Sequence, residues 1–296
     1  MWIIYILLIA LILIFSDATI EAARSSVELF AYGVIPSLFP FFVLTNMLLN
    51  KGNKAFLSGF LCGYPSGAIV CSSLYEDGKI IKSKAEIYSA FINNAGPAFV
   101  IGTVGAIFCR SLNAGILLLF THIAASLTVM ITLKMIVPET SIETVATYSI
   151  PNSGKNHNFS KTPLGEQLSA AILSSAKQIA SVGGYIIFFS VLISILSSIG
   201  VKNIYLFAFL EITSGLKYIT QSLPQDNFIQ SLTNMLPIIA FFLGFSGLSI
   251  HIQIIAILNK SKLNARYFIA GKIMQAILAA IYTFLLLKLP FIKNLL

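Results

Sequence analysis

Runs of about 20 residues without a single charge recur along this chain, and no other feature constrains its fold as strongly. Uncharged windows fall at 29–50, 55–75, 87–109, 111–133, 178–201 and 227–259. A helix needs ~20 mostly apolar residues to cross the ~30 Å hydrocarbon core of a bilayer. In lipid, every backbone polar group must be satisfied within the structure, which favours helices. Only 10% of the 296 residues are charged, whereas a soluble chain carries roughly 25%. The expected fold class is therefore an all-α polytopic membrane protein, multi-pass in the cell (inner) membrane.

The net charge of +8 does not point to nucleic acid, because the basic residues form no continuous face with interleaved aromatics. They cluster between apolar windows, as topology signals do. Cys62, Cys71 and Cys109 lie inside apolar windows without metal-ligand spacing, so they read as small packing residues. The first segment, 2–15, lacks a basic flank and a good cleavage site, and reads as a short or tilted uncleaved anchor.

Four weak matches share one offset. Ser25-Ser26 returns as Ser174-Ser175, Phe41-Phe42 as Phe188-Phe189, Ser66-Gly67 as Ser214-Gly215, and Phe91…Gly96 loosely as Ile239…Gly244, all within one residue of a shift of 148. Together they predict an internal repeat. The divisions are a 1–28 anchor, a 29–137 first repeat, a 138–165 linker rich in Ser, Thr, Asn, Pro and Gly, and a 166–296 second repeat.

Gly63-Tyr64-Pro65-Ser66-Gly67 splits an apolar run into pieces too short to span, which suits a re-entrant hairpin. Charge placement supports this. If the segments around 63–67 and 211–215 both return to their starting side, one face collects Lys51, Lys54, Lys79, Lys82, Lys84, Lys134, Lys155, Lys161, Lys177, Lys260, Lys262, Arg266 and Lys272, 13 of the 19 basic residues. If both segments cross, the split is 8 against 11, with no clear bias. The hairpin arrangement gives seven crossings, a cytoplasmic N-terminus and an outside C-terminus. Each half then crosses three times, so the halves are inverted: an inverted repeat with two re-entrant helical hairpins and broken transmembrane helices.

Inverted halves with matching Gly/Pro-interrupted segments are the sequence mark of a secondary-transporter site. The breaks at 63–67, 93–97, 211–215 and 244–247 set the candidate substrate-binding residues Ser66, Gly67, Asn93, Asn94, Glu211, Thr213, Ser214, Ser246 and Gln253 at membrane depth, with Ser249 beside them. Each has a plainer reading. Gly59, Gly63 and Gly67 make a helix-packing stripe; Asn93 and Asn94 suit caps or helix bridges; membrane serines and threonines bond their own backbone. Glu211 is functional by default, since an intramembrane carboxylate is costly, although Lys217 is a candidate neutraliser. His122 and His251 suit interhelical bonds, and His157 lies in the linker.

These residues carry a resemblance. The stretches 34–41 (VIPSLFPF), 63–68 (GYPSGA) and 94–102 (NAGPAFVIG), with 210–215 (LEITSG) and 245–247 (FSG), are similar to the YlbJ-type sporulation integral membrane proteins of the nucleoside-recognition, or Gate domain, group. The resemblance runs from about 30 to 253. It implies a transporter related to concentrative nucleoside carriers, with two hairpins facing each other at the membrane centre. The cargo it implies is dipicolinic acid, moved out of the mother cell during sporulation, with Ser66, Ser214 and Ser246 as partners of its carboxylates. The first hairpin carries Tyr64-Pro65-Ser66 and no carboxylate, unlike the sodium site of true nucleoside carriers.

Two rival classes compete for the same residues. Gly244-Phe245-Ser246-Gly247 matches the pattern of an intramembrane serine hydrolase, but five helical residues turn His251 largely away from Ser246. A non-transporting sporulation scaffold, with the polar breaks as packing devices, is the other. The reading taken is a carrier and not an enzyme, without a resident cofactor or metal. Its partners are a small-molecule solute and the lipid bilayer, with no nucleic acid. Na+ or H+ coupling and a homo-oligomer are left open.

Overall fold

The computed structural model describes residues 2–49, 59–61, 63–136 and 163–296. Nearly all of the 138–165 linker, Cys62, His157 and most of the first hairpin's incoming arm lie outside the described residues. The described chain is helical. The helices are α1 (Trp2–Ile14), α2 (Ser16–Leu29), a π-helical turn π1 (Phe30–Val34), α3 (Ile35–Leu49), α4 (Ser66–Glu76), α5 (Lys82–Ile92), π2 (Ala98–Phe108) and α6 (Leu112–Ile136). The second half holds α7 (Leu164–Ser198), α8 (Ile204–Leu210), α9 (Ile212–Gln221), α10 (Phe228–Phe245), α11 (Gly247–Lys260), α12 (Arg266–Leu287) and α13 (Pro290–Leu295).

Among the described residues five stretches are long and apolar enough to cross a membrane: Ser16–Met47, Leu112–Ile136, Leu164–Ser198, Phe228–Lys260 and Arg266–Leu287. The chain is a polytopic all-α membrane protein. The crossing through α5 and π2 escapes that criterion because 93–97 interrupts it. At ~1.5 Å per residue, α1 measures about 20 Å, short of the bilayer core.

The repeat is visible in the element order. Ser16–Leu49 is one long helix, interrupted only by the π1 turn, and it recurs as Leu164–Ser198 at a shift of 148. Residues 16–28, part of the anchor in the sequence division, form an amphipathic extension of this helix instead. Arg24 and Glu21 face outward, while Thr19 and Ser26 are buried. The two long helices run antiparallel. Ser194 Oγ donates to Ala18 O at 2.9 Å at one end, and Asn46 Nδ2 donates to Ser175 Oγ at 2.8 Å towards the other. A Cβ on Gly183 would sit 2.5 Å from the Phe30 ring, so glycine is what lets the helices meet at their middle.

The remaining contacts exchange between halves in the same way. α5 packs on α12 and α10 on α6; α4 packs on α11 and α9 on π2; α3 meets π2 and α7 meets α11. α6 and α12 are themselves antiparallel: Asn113, near the start of α6, reaches Leu295 O in α13, just past the end of α12, at 2.6 Å, and Thr128 is bonded to Tyr282 at 2.9 Å. Antiparallel packing of equivalent helices is what an inverted repeat requires.

α8 and α9 form the second hairpin. At about 10 and 15 Å, neither arm can span. They fold back on each other, with Phe207 against Tyr218 at 5.7 Å between ring centroids. A Cβ on Gly215 would fall 2.1 Å from Ala208 Cα, so the arms touch backbone to backbone.

Candidate functional site

All four interruptions are present, three of them at Gly, Pro, Asn or Ser and the third along the chain at Glu211, whose extended backbone separates α8 from α9, and they converge. At the first hairpin tip Gly63 has φ +77° and Tyr64–Pro65 is cis. A Cβ on Gly63 would stand 2.8 Å from Gly96 N. Conformation and close approach both call for glycine there, and the contact locks this tip to the first broken helix. Tyr64 then reaches across to the other half. Its hydroxyl shares a hydrogen bond with Ser246 Oγ and donates to Leu243 O at 3.2 Å. Ser246 ends α10 in a left-handed conformation, φ 80°. The next residue, Gly247 at φ +74°, packs against the second hairpin tip at Ile212.

The interruption at 93–97 frees backbone groups that lipid cannot satisfy. Side chains of the same half supply part of the answer. Ala95 N–H donates to His122 Nε2 at 3.1 Å, and Phe91 O accepts from Asn94 Nδ2 at 2.7 Å and Ser126 Oγ at 2.6 Å. Gln275 Nε2 donates to Asn94 Oδ1 at 2.8 Å and to His122 O at 3.2 Å, while its Oε1 accepts from Lys272 Nζ at 2.7 Å. Asn94 is thus a bridge to α6 and α12.

Between the tips lies a narrow cavity of about 30 Å³, room for little more than a water molecule. Its walls pair across the repeat. Val34 stands with Val182, and Leu38 with Ile186, each at the shift of 148. Gly63 and Tyr64 come from one tip, Ile212 and Thr213 from the other, with Gly96, Phe99 and Ile250 completing the lining. The cavity therefore sits on the axis relating the halves, where the long helices cross.

Of the nine candidate residues, Thr213 lines this cavity. The others are buried around it. Ser66 Oγ, Asn93 Oδ1, Ser249 Oγ and Gln253 Oε1 have no partner among the described residues, whereas Gln253 Nε2 donates to Ser181 Oγ at 3.0 Å. Gly67 is a contact residue, since a Cβ there would be 2.4 Å from Ile92 O. Ser214 Oγ is bonded to Ser190 Oγ at 2.7 Å.

Three expectations need correction. Lys217 does not neutralise Glu211, for it reaches Ser25 Oγ at 3.4 Å. Glu211 instead caps α9, its Oε1 accepting from Thr213 N–H at 2.9 Å and its Oε2 from Ser214 N–H at 2.6 Å. The Ser214 N–H is thereby withdrawn from a solute at that tip. Lys272, counted among the charges of one membrane face, is fully buried inside α12. Its nearness to Lys260, Lys262 and Arg266 disguised it. The signal that singled out Glu211, an ionisable residue within an apolar helix, applies to it equally. Tyr64 and Gln275 were also missed, because a tyrosine or glutamine carries no such signal.

His251 Nδ1 sits 2.8 Å from Gly247 O and its ring stacks on Phe245. The Ser246 hydroxyl has Tyr64 and backbone carbonyls as partners. Neither histidine is among them.

The chain is 26% identical, over an alignment 337 positions long, to the sporulation integral membrane protein YlbJ of Bacillus subtilis (strain 168). It resembles the YlbJ-type membrane proteins. The alignment covers 96% of this chain and 81% of that relative, so the likeness takes in both halves of the repeat. No family model and no solved structure matches the chain.

Proposed function

We propose that this chain is a membrane carrier for a small polar anion, with dipicolinic acid as its cargo, exported from the mother cell during sporulation. The observation that carries the reading is the cavity on the repeat axis between two hairpin tips. A pocket there can open to either side by exchange of equivalent contacts, which suits alternating access. Its mostly aliphatic walls suit an aromatic ring once the tips move apart to admit it, and the unpartnered Ser66 hydroxyl on the first tip suits an acceptor group. Likeness to a sporulation membrane protein supports the setting. The carrier acts without a resident cofactor and performs no covalent chemistry. Its C-terminus is outside.

The test is flux into proteoliposomes of the full chain, comparing dipicolinate with a nucleoside panel, with and without a sodium or proton gradient. Dipicolinate should enter faster than into protein-free vesicles, and Ser66→Ala should slow it. Equal entry with and without protein would sink the reading. Entry of nucleosides alone would replace the cargo but keep the carrier.

A further inference from the structure

Behind the aromatic wall of the cavity stands a buried amine. Lys272 is 0% exposed, and its Nζ lies 5.4 Å from the centroid of the Tyr64 ring, a cavity wall residue. Gln275 Oε1 holds it at 2.7 Å. Gln275 is itself fixed by its bonds to Asn94 and His122. Among the described residues Lys272 has no ion-pair partner. The two pairs present, Arg24–Glu21 and Lys79–Asp77, lie on exposed side chains elsewhere. The buried Glu211 carboxylate is committed to the α9 N–H groups.

An ammonium at membrane depth without an anion is expensive, and such residues mark solute paths by default. The amine has two neutral comforts, an amide oxygen and the face of a phenol ring. Both are weaker than a charge-assisted bond to a carboxylate. One amine balances one negative charge, and the apolar cavity walls suit the rest of an aromatic acid.

We propose that Lys272 is the counter-charge that receives a carboxylate of the solute, with Tyr64 as the movable wall between amine and cavity. This rests on the carrier reading above. Binding draws Tyr64 off the amine, so its bond to Ser246 in the other half is broken as the solute is engaged.

The experiment is binding to the full chain in detergent, using pyridine-2-carboxylate, dipicolinate and the uncharged pyridine-2-carboxamide. The parent should prefer the carboxylates. Lys272→Met should weaken them by roughly 30-fold or more, the lower end for truncating one partner of a buried charge pair, and leave the carboxamide unchanged. Lys272→Arg should retain most carboxylate binding. A second measurement needs no change at the lysine. Acylation of Lys272, read by peptide mass spectrometry, should be slow in the parent, faster in Tyr64→Ala, and suppressed by pyridine-2-carboxylate but not by its amide.

Unaltered carboxylate preference in Lys272→Met overturns the assignment while the carrier stands, as does equal loss of carboxylate and amide. A parent that binds no carboxylate overturns both. If Lys272→Met does not fold, the acylation pattern decides.

Discussion

Replacing Glu211 separates a structural carboxylate from one that meets solute. Both its oxygens are engaged, with Thr213 and Ser214 N–H at 2.9 and 2.6 Å, and the residue is buried. Glu211→Ala leaves both N–H groups without an acceptor at membrane depth. Each such group costs about 1–3 kcal/mol, so the variant should lose about 2–6 kcal/mol. Glu211→Gln keeps one acceptor oxygen and should lose about half of that. The assay is thermal unfolding of the purified full chain in detergent. Cys71 and Cys109 are free and buried, so a thiol-reactive fluorophore reports their exposure. The expected order of midpoints is parent, then Gln, then Ala, and flux should fall in step with folded fraction. Equal midpoints for all three would refute the capping role. A Gln variant as unstable as Ala would show that charge, not acceptor geometry, holds the tip.

Three further outcomes follow from the packing. Gly215→Ala forces the second hairpin's arms apart and should destabilise by about 1–3 kcal/mol. Gly184→Ala, whose Cβ meets nothing within 4 Å, should instead gain about 0.5–1 kcal/mol; the same unfolding assay checks the opposite signs. Gln275→Leu strands Asn94 Oδ1 and Lys272 Nζ and should cost at least about 2 kcal/mol, so a parent-like midpoint would break the link between the 93–97 interruption and α12. Finally, Lys82 and Arg110 stand at the two ends of the α5–π2 crossing, about 40 Å apart along it. Impermeant labelling of cysteines placed there should report opposite faces of the membrane, and labelling on one face would remove the inverted halves.

The breaks were legible because they are local. Gly63 and Pro65, the 93–97 run, Glu211 and Ser246 each disturb their own stretch of backbone, whatever packs around it. The offset of 148 was legible too, though faint, since a repeated fold keeps its small residues where helices must touch. The extent of the first long helix was not. Asp17, Glu21, Arg24 and Glu28 read as an end to the membrane segment, yet all four lie on the outward face of a continuing helix.

Residue order alone therefore determined that this chain is a helical membrane protein with interrupted crossings in two matching halves. Apolar run length and backbone breakage decide those things within a few turns of helix. The tertiary structure decided which side chains share a neighbourhood. Tyr64 meets Ser246 across 182 residues and Gln275 meets Asn94 across 181. Lys272 came to rest behind the cavity wall because inverted halves fold their equivalent ends onto one axis. Such contacts depend on how helices cross, and no sequence window contains both partners.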